Sequence, residues 1–195
     1  MPLHHLTSQD FRQMPWKNGR GTTTQLAIYP PDAQFPQDPF LWRVSSAPIT
    51  ENGDFSSFPG FDRLLMITDG SGILLNGDRL SWGESICFSG ETPSSCELIE
   101  GPVRDLGVIY RPDALKVSMN LASTTKEIPL RLALNSKFQL FVCVRGEFRA
   151  NETPSQVLTA GECFYSVPPG SQSTLELTAL TENAALVCID IAEIG

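Results

Sequence analysis

Apolar positions along this chain fall into short runs that never settle into a helical period. Residues 40–49, 64–68, 72–75, 97–99, 106–110, 138–144, 156–159, 174–180 and 185–191 are rich in β-branched, aromatic and aliphatic side chains. Turn signals separate them, among them Asn52-Gly53, Asp69-Gly70, Asn76-Gly77 and Pro168-Pro169-Gly170. Short apolar runs bounded by Gly, Pro and Asn predict strands and tight turns, and fifteen glycines with fifteen prolines fit many turns and few helices. The pattern predicts an all-β sandwich or barrel.

The chain also repeats itself. Leu65 to Gly70, then Trp82 to Phe88 with its Gly83-Glu84 turn, then Cys96-Glu97-Leu98, is echoed by Phe141 to Gly146, Ala160 to Tyr165 with Gly161-Glu162, and Leu175-Glu176-Leu177. The offset is 76 residues at the first glycine and 78 at the Gly-Glu pair. Two tandem β-modules are therefore expected, residues 1–112 and 113–195. Strand, Gly hairpin, Gly-Glu turn, strand and Pro-Pro-Gly resembles a cupin half-barrel, and residues 161–170 are similar to the second cupin motif. The resemblance implies a bicupin, two jelly-roll-like barrels with little helix. At the position where that motif places a histidine, this chain has Ser173.

Charge and composition narrow the function. A formal net charge of -8 argues against a general nucleic-acid or anionic-membrane partner, while leaving room for a small anion held by one or two local cations. No run of about 18 apolar residues predicts a membrane helix, and the start of the chain lacks a signal-peptide pattern. Cys87, Cys96, Cys143, Cys163 and Cys188 form no C-x-x-C and sit mostly among apolar neighbours, as reduced core thiols of a cytoplasmic protein do. The two histidines, His4 and His5, are adjacent, so on a strand they point to opposite sides. No metal and no cofactor is expected, and no catalytic residue is assigned.

The stretch from Pro15 to Thr23 carries an aromatic, two cations, an amide, two glycines and two hydroxyls. It lacks the spacing of a phosphate-binding loop and no helical pattern follows it. Together with residues 40–47, reading Phe-Leu-Trp-Arg-Val-Ser-Ser-Ala, and residues 53–63, reading Gly-Asp-Phe-Ser-Ser-Phe-Pro-Gly-Phe-Asp-Arg, it resembles the HutD/Ves family, small bicupins associated with bacterial histidine utilisation. The resemblance spans about residues 6–190. It implies a non-catalytic binder of a small carboxylate, of the formate or N-formylglutamate type, that modulates histidine utilisation. The alternative is a metal-free cupin isomerase or hydrolase acting on such a metabolite. A monomer or weak homodimer is expected.

The residue chemistry agrees with carboxylate binding, since guanidinium forks hold carboxylates best. Arg43 and Arg63 are the candidate forks. Strand alternation sends Arg43 and Ser45 to one face and Trp42 and Val44 to the other. Asn18, Thr22 and Thr23 are candidate neutral donors, and Phe55 and Phe58 candidate walls. Competing assignments make Arg43 a solvent-facing strand residue, pair Arg63 with Asp62 or Asp54 at the surface, and put the two phenylalanines in the core. Glu84 and Glu162 read as turn residues. Arg20, Thr24, Gln25, Leu106 and Gly107 depart from the family pattern.

Overall fold

The computed structural model describes residues 3–16, 21–151, 155–166 and 174–194, all as strands, turns and irregular segments without helix. Among the described residues nineteen strands follow one another: β1 Leu3–Leu6, β2 Arg12–Pro15, β3 Thr22–Tyr29, β4 Trp42–Ile49, β5 Gly53–Asp54, β6 Asp62–Asp69, β7 Ile73–Leu75, β8 Asp78–Leu80, β9 Ser85–Ser89, β10 Ser95–Leu98, β11 Val103–Tyr110, β12 Leu115–Thr124, β13 Pro129–Ala133, β14 Phe138–Arg145, β15 Glu147–Ala150, β16 Val157–Thr159, β17 Cys163–Ser166, β18 Thr174–Ala179 and β19 Ala184–Glu193.

They divide between two compact units. The unit built from Phe11–Leu115 holds a six-stranded sheet, β2-β3-β4-β11-β6-β9, and a four-stranded sheet, β5-β10-β7-β8. The unit built around Lys116–Glu193 holds a five-stranded sheet, β1-β17-β14-β19-β12, and a four-stranded sheet, β13-β18-β15-β16. Residues up to Asp10, placed with the first module by the sequence pattern, belong to the second unit, where Leu3–Leu6 pairs antiparallel with residues 163–166.

The repeat seen in the sequence is a structural repeat. β6 lies between β11 and β9, and β14 occupies the matching place between β19 and β17. Both end on a left-handed glycine, Gly70 at φ 86° and Gly146 at φ 74°. At Gly70 a Cβ would lie 2.6 Å from the Pro102 carbonyl oxygen, so the turn requires glycine for space as well as for φ. The Gly-Glu turns match as well. Glu84 accepts a hydrogen bond from the Ser81 N–H at 2.8 Å, and Glu162 accepts one from the Thr159 N–H at 3.0 Å.

Each unit closes over its own apolar core. In the first, Ile49, Leu65, Ile67 and Val103 from the six-stranded sheet pack with Ile73, Leu75, Leu80 and Cys96 from the four-stranded sheet. In the second, Phe141, Phe148, Phe164, Leu158, Leu175 and Leu186 are at most 1% exposed. The opposite face of the six-stranded sheet is also buried, with Trp42, Val44 and Val108 at 0%. Burial on both faces explains why residues 64–67 read as an unbroken apolar run instead of an alternating one.

Candidate functional site

The interior of the Phe11–Leu115 unit changes character along its length, and the register of three central strands sets how. Ile109 of β11 pairs with Arg43 on one side and Arg63 on the other. One step along, Gly107 pairs with Ser45 and Leu65, and Asp105 pairs with Ala47 and Ile67. Directly opposed residues share a face, as do residues two apart on one strand. Arg43, Ser45, Arg63, Gly107 and Asp105 therefore all lie on the face that carries Leu65 and Ile67 into the core. At one end that face is apolar. At the other it presents two guanidinium side chains from strands about 10 Å apart.

Trp42 and Val44 alternate to the opposite face as expected, but Arg43 and Ser45 do not look onto a solvated surface. Arg43 is 4% exposed and Ser45 9%. The Arg43 Nε donates to Gln25 Oε1 at 2.9 Å, its Nη2 approaches Met14 Sδ at 3.3 Å, and its guanidinium lies 4.1 Å from the centre of the Phe35 ring. Arg63 is half-buried and donates from Nη1 to the Ser56 carbonyl at 3.1 Å. Its guanidinium is bracketed by Phe55 at 4.5 Å, Phe88 at 5.2 Å and Phe58 at 5.6 Å. Phe35 and Phe58 meet at 5.9 Å, joining the two arginine sleeves. Phe55 and Phe58 are thus walls against Arg63, and neither Asp62 nor Asp54 forms an ion pair with it among the described residues.

Each guanidinium has five N–H donors. Among the described residues, two of Arg43 and one of Arg63 find acceptors, and no carboxylate lies within ion-pair distance of either. Burial is the first cause of the low Arg43 pKa, about 10; the neighbouring Arg63 charge lowers it further and Asp105 opposes. Burial also lowers Arg63, with Asp105 again opposing. Two desolvated cations sharing one interior disfavour each other until a negative charge joins them.

Asp105 is the residue of this site that sequence reasoning missed. It is 7% exposed, and its Oδ1 accepts the Ala47 N–H at 2.7 Å. The Ser46 hydroxyl donates to its backbone carbonyl at 2.6 Å. Burial pushes its carboxyl up to about 6 against the pull of the Ala47 N–H and of Arg63, Arg104 and Arg43. Gln25, Phe35, Phe88 and Met14 were missed as well. The signal available for Gln25 and Asp105 was a polar side chain inside a strand, visible only once the inward face is known.

The remaining candidates are split. Thr23 lies on β3 two residues from Gln25, and its Oγ1 accepts the Trp16 indole N–H at 2.8 Å. Thr22 alternates to the opposite face of β3. Trp16 is half-buried and packs where a Gly21 side chain would stand, its ring 2.8 Å from that position. Asn18 and Arg20, like Ser173, lie outside the described residues. Arg111 is held by Asp113 through two hydrogen bonds of 3.0 and 2.6 Å. Among the described residues no group of three His, Cys, Asp or Glu side chains is placed to hold a metal ion, and no helix is long and apolar enough to cross a membrane.

The HutD family model matches residues 8–187. The chain belongs to the HutD family. It is 35% identical over 131 residues to an uncharacterized 21.2 kDa protein in the hutC 3' region of Pseudomonas putida, covering 65% of this chain and 67% of that one. It is 33% identical over 125 residues to protein Ves of Citrobacter koseri, covering 60% of this chain and 63% of that relative. The chain thus matches about two thirds of the length of these relatives.

Solved structures resemble the chain over nearly its whole length. A conserved protein of unknown function from Pseudomonas aeruginosa PAO1 superposes with a TM-score of 0.83 at 26% identity, covering 98% of this chain and all of that one. HutD from Pseudomonas fluorescens SBW25, described for a formate condition, superposes with a TM-score of 0.76 at 27% identity, covering 100% of both. A cupin 2 conserved barrel protein from Leptotrichia buccalis, at 14% identity and a TM-score of 0.53, extends the likeness to cupins at the level of fold.

Proposed function

We propose that this HutD-family bicupin binds a small carboxylate metabolite, of the formate or N-formylglutamate type, between Arg43 and Arg63, and through that binding modulates histidine utilisation without catalysing a reaction. The observation that carries the proposal is the arginine pair, inward-facing, sleeved in aromatic rings and without a protein carboxylate at ion-pair distance among the described residues. A carboxylate between them gains charge-assisted hydrogen bonds of about 1.5–3 kcal/mol each and relieves their mutual repulsion. Ser45 and Thr23 supply hydroxyls on the same face and Phe55 and Phe58 stand against Arg63, while Asn18 remains a candidate donor from the sequence alone. The hutC-region name of the P. putida relative and the HutD name of the P. fluorescens structure support the link to histidine utilisation.

The test is calorimetric titration of formate, N-formylglutamate, glutamate, urocanate and histidine into the parent and into Arg63→Met. Methionine keeps much of the stem volume and removes the fork. Loss of about 2–5 kcal/mol of affinity with the fold intact is expected for a buried charged partner. Equal binding of every carboxylate by both proteins would return Arg63 to a structural role. A second reading, a metal-free isomerase or hydrolase, draws on Asp105, whose raised pKa suits an acid–base group. Turnover of N-formylglutamate that disappears in Asp105→Asn would favour it.

A further inference from the structure

The floor of the arginine site has a charge of its own. Asp105 stands on β11 between the two arginine-bearing strands, two side chains deeper than Ile109 on the same face. Its position is fixed by the Ala47 N–H to Oδ1 and by the Ser46 hydroxyl to its carbonyl. Between Ile109 and Asp105 on that face there is only Gly107. Its neighbours Leu106 and Val108 are buried at 1% and 0%, yet Gly107 itself retains solvent access in the middle of a sheet of six strands.

Nothing in the backbone demands a glycine there. Its φ is not in the left-handed region, and a Cβ would meet its nearest neighbours, Leu65 Cδ1, Leu64 O and Ser45 O, at 3.6, 3.8 and 3.9 Å. Glycine weakens a strand interior, and neither a positive φ nor a backbone clash calls for it here. Gly107 thus leaves no side chain of β11 on this face between Ile109 and Asp105, with Arg43 and Arg63 on the strands to either side.

We infer that Asp105 makes this a single-charge site, which takes a small monocarboxylate and discriminates against a dicarboxylate of the same shape, so that of the two ligand types proposed above it takes formate in preference to the doubly charged N-formylglutamate. This rests on the anion-binding reading above. The charges acting on Asp105 are Arg43 from β4, Arg63 from β6 and the exposed Arg104 next to it on its own strand, while the Cys96 thiol from β10 is raised to about 11, first by burial and then by Asp105, and stays neutral. On this face, two guanidiniums and one carboxylate leave one uncompensated positive charge. One ligand carboxylate brings the interior to neutrality. A second one, carried by the same small ligand, would sit near Asp105 with no cation left to receive it, and an unpaired buried charge is strongly disfavoured.

Succinate and succinamate have nearly the same shape and differ by one negative charge at pH 8, so they isolate charge from size. Both are titrated, with formate, into the parent, Asp105→Asn and Asp105→Ser at pH 8. Asparagine keeps an acceptor for the Ala47 N–H, and the serine variant serves if asparagine perturbs the fold. The parent is expected to bind succinamate at least about tenfold more tightly than succinate, with the preference falling below about threefold when the Asp105 charge is removed. An unchanged ratio, or a parent that binds succinate as well as succinamate, overturns the inference. Binding of formate with neither four-carbon acid bound also overturns it, assigning selectivity to size. Failure of every carboxylate to bind the parent is a different result, which removes the anion-binding reading itself.

Discussion

Replacing Asp105 by asparagine should stabilise the protein at neutral pH, an unusual expectation for a polar residue 7% exposed. The reasoning follows from its carboxyl, which burial raises from 3.8 to about 6 even after the attraction of three arginines. A carboxyl whose folded pKa is raised favours folding while protonated. That contribution is complete below about pH 4, the unfolded pKa, and is lost as pH rises through about 6. Two pKa units correspond to about 3 kcal/mol, so ionised Asp105 costs the native state roughly that much at pH 8. Asparagine is neutral throughout and still offers an oxygen to the Ala47 N–H. Urea denaturation followed by tryptophan fluorescence at pH 8, 6 and 4.5 should therefore show Asp105→Asn more stable than the parent by up to about 3 kcal/mol at pH 8, with the gain shrinking towards zero at the acid end. Comparing the two proteins at each pH removes the contribution of the other carboxylates. A variant less stable than the parent at pH 8, or a difference independent of pH, would refute the argument and make the Asp105 carboxylate a net structural anchor.

Gly107→Ala should leave stability unchanged or raise it by up to about 1 kcal/mol, whereas Gly70→Ala, with φ 86° and a carbonyl 2.6 Å from the new Cβ, should destabilise by more than 1 kcal/mol; thermal melts of the two variants side by side decide this. Glu84→Ala should lose about 1 kcal/mol through one turn hydrogen bond, and Glu162→Ala more, because Glu162 Oε2 also bonds the His5 Nε2 at 3.0 Å, with formate affinity unchanged by calorimetry in both. Cys87 is exposed, while burial raises the thiols of Cys143, Cys163 and Cys188 to about 12; a thiol titration of native protein at pH 8 should show one fast-reacting group that disappears in Cys87→Ser.

What the sequence alone determines here is local or periodic. The absence of helix, the Gly-ended strands, the Gly-Glu turns and the duplication at offsets of 76 and 78 residues all reside in short segments whose chemistry acts over a few residues. Alternation likewise put Arg43 and Ser45 opposite Trp42 and Val44, because the two-residue period belongs to the strand itself. Other features depend on which strands meet. Alternation could not say that both faces of residues 42–49 are buried, since that follows from what packs on each side of the sheet. Residues 3–6, 12–15 and 115–124 escaped as strands because their short or polar runs become strands only by pairing with residues 163–166, 22–25 and the β19 edge. The site is the clearest case. Asp105 and Gly107 acquire their meaning from a register that sets Ile109 between Arg43 and Arg63, residues 66 and 46 positions away in the chain. Hydrogen-bonded pairing over such distances is decided by the burial of the whole sheet, and only that pairing turns two scattered arginines and an aspartate into one charged interior.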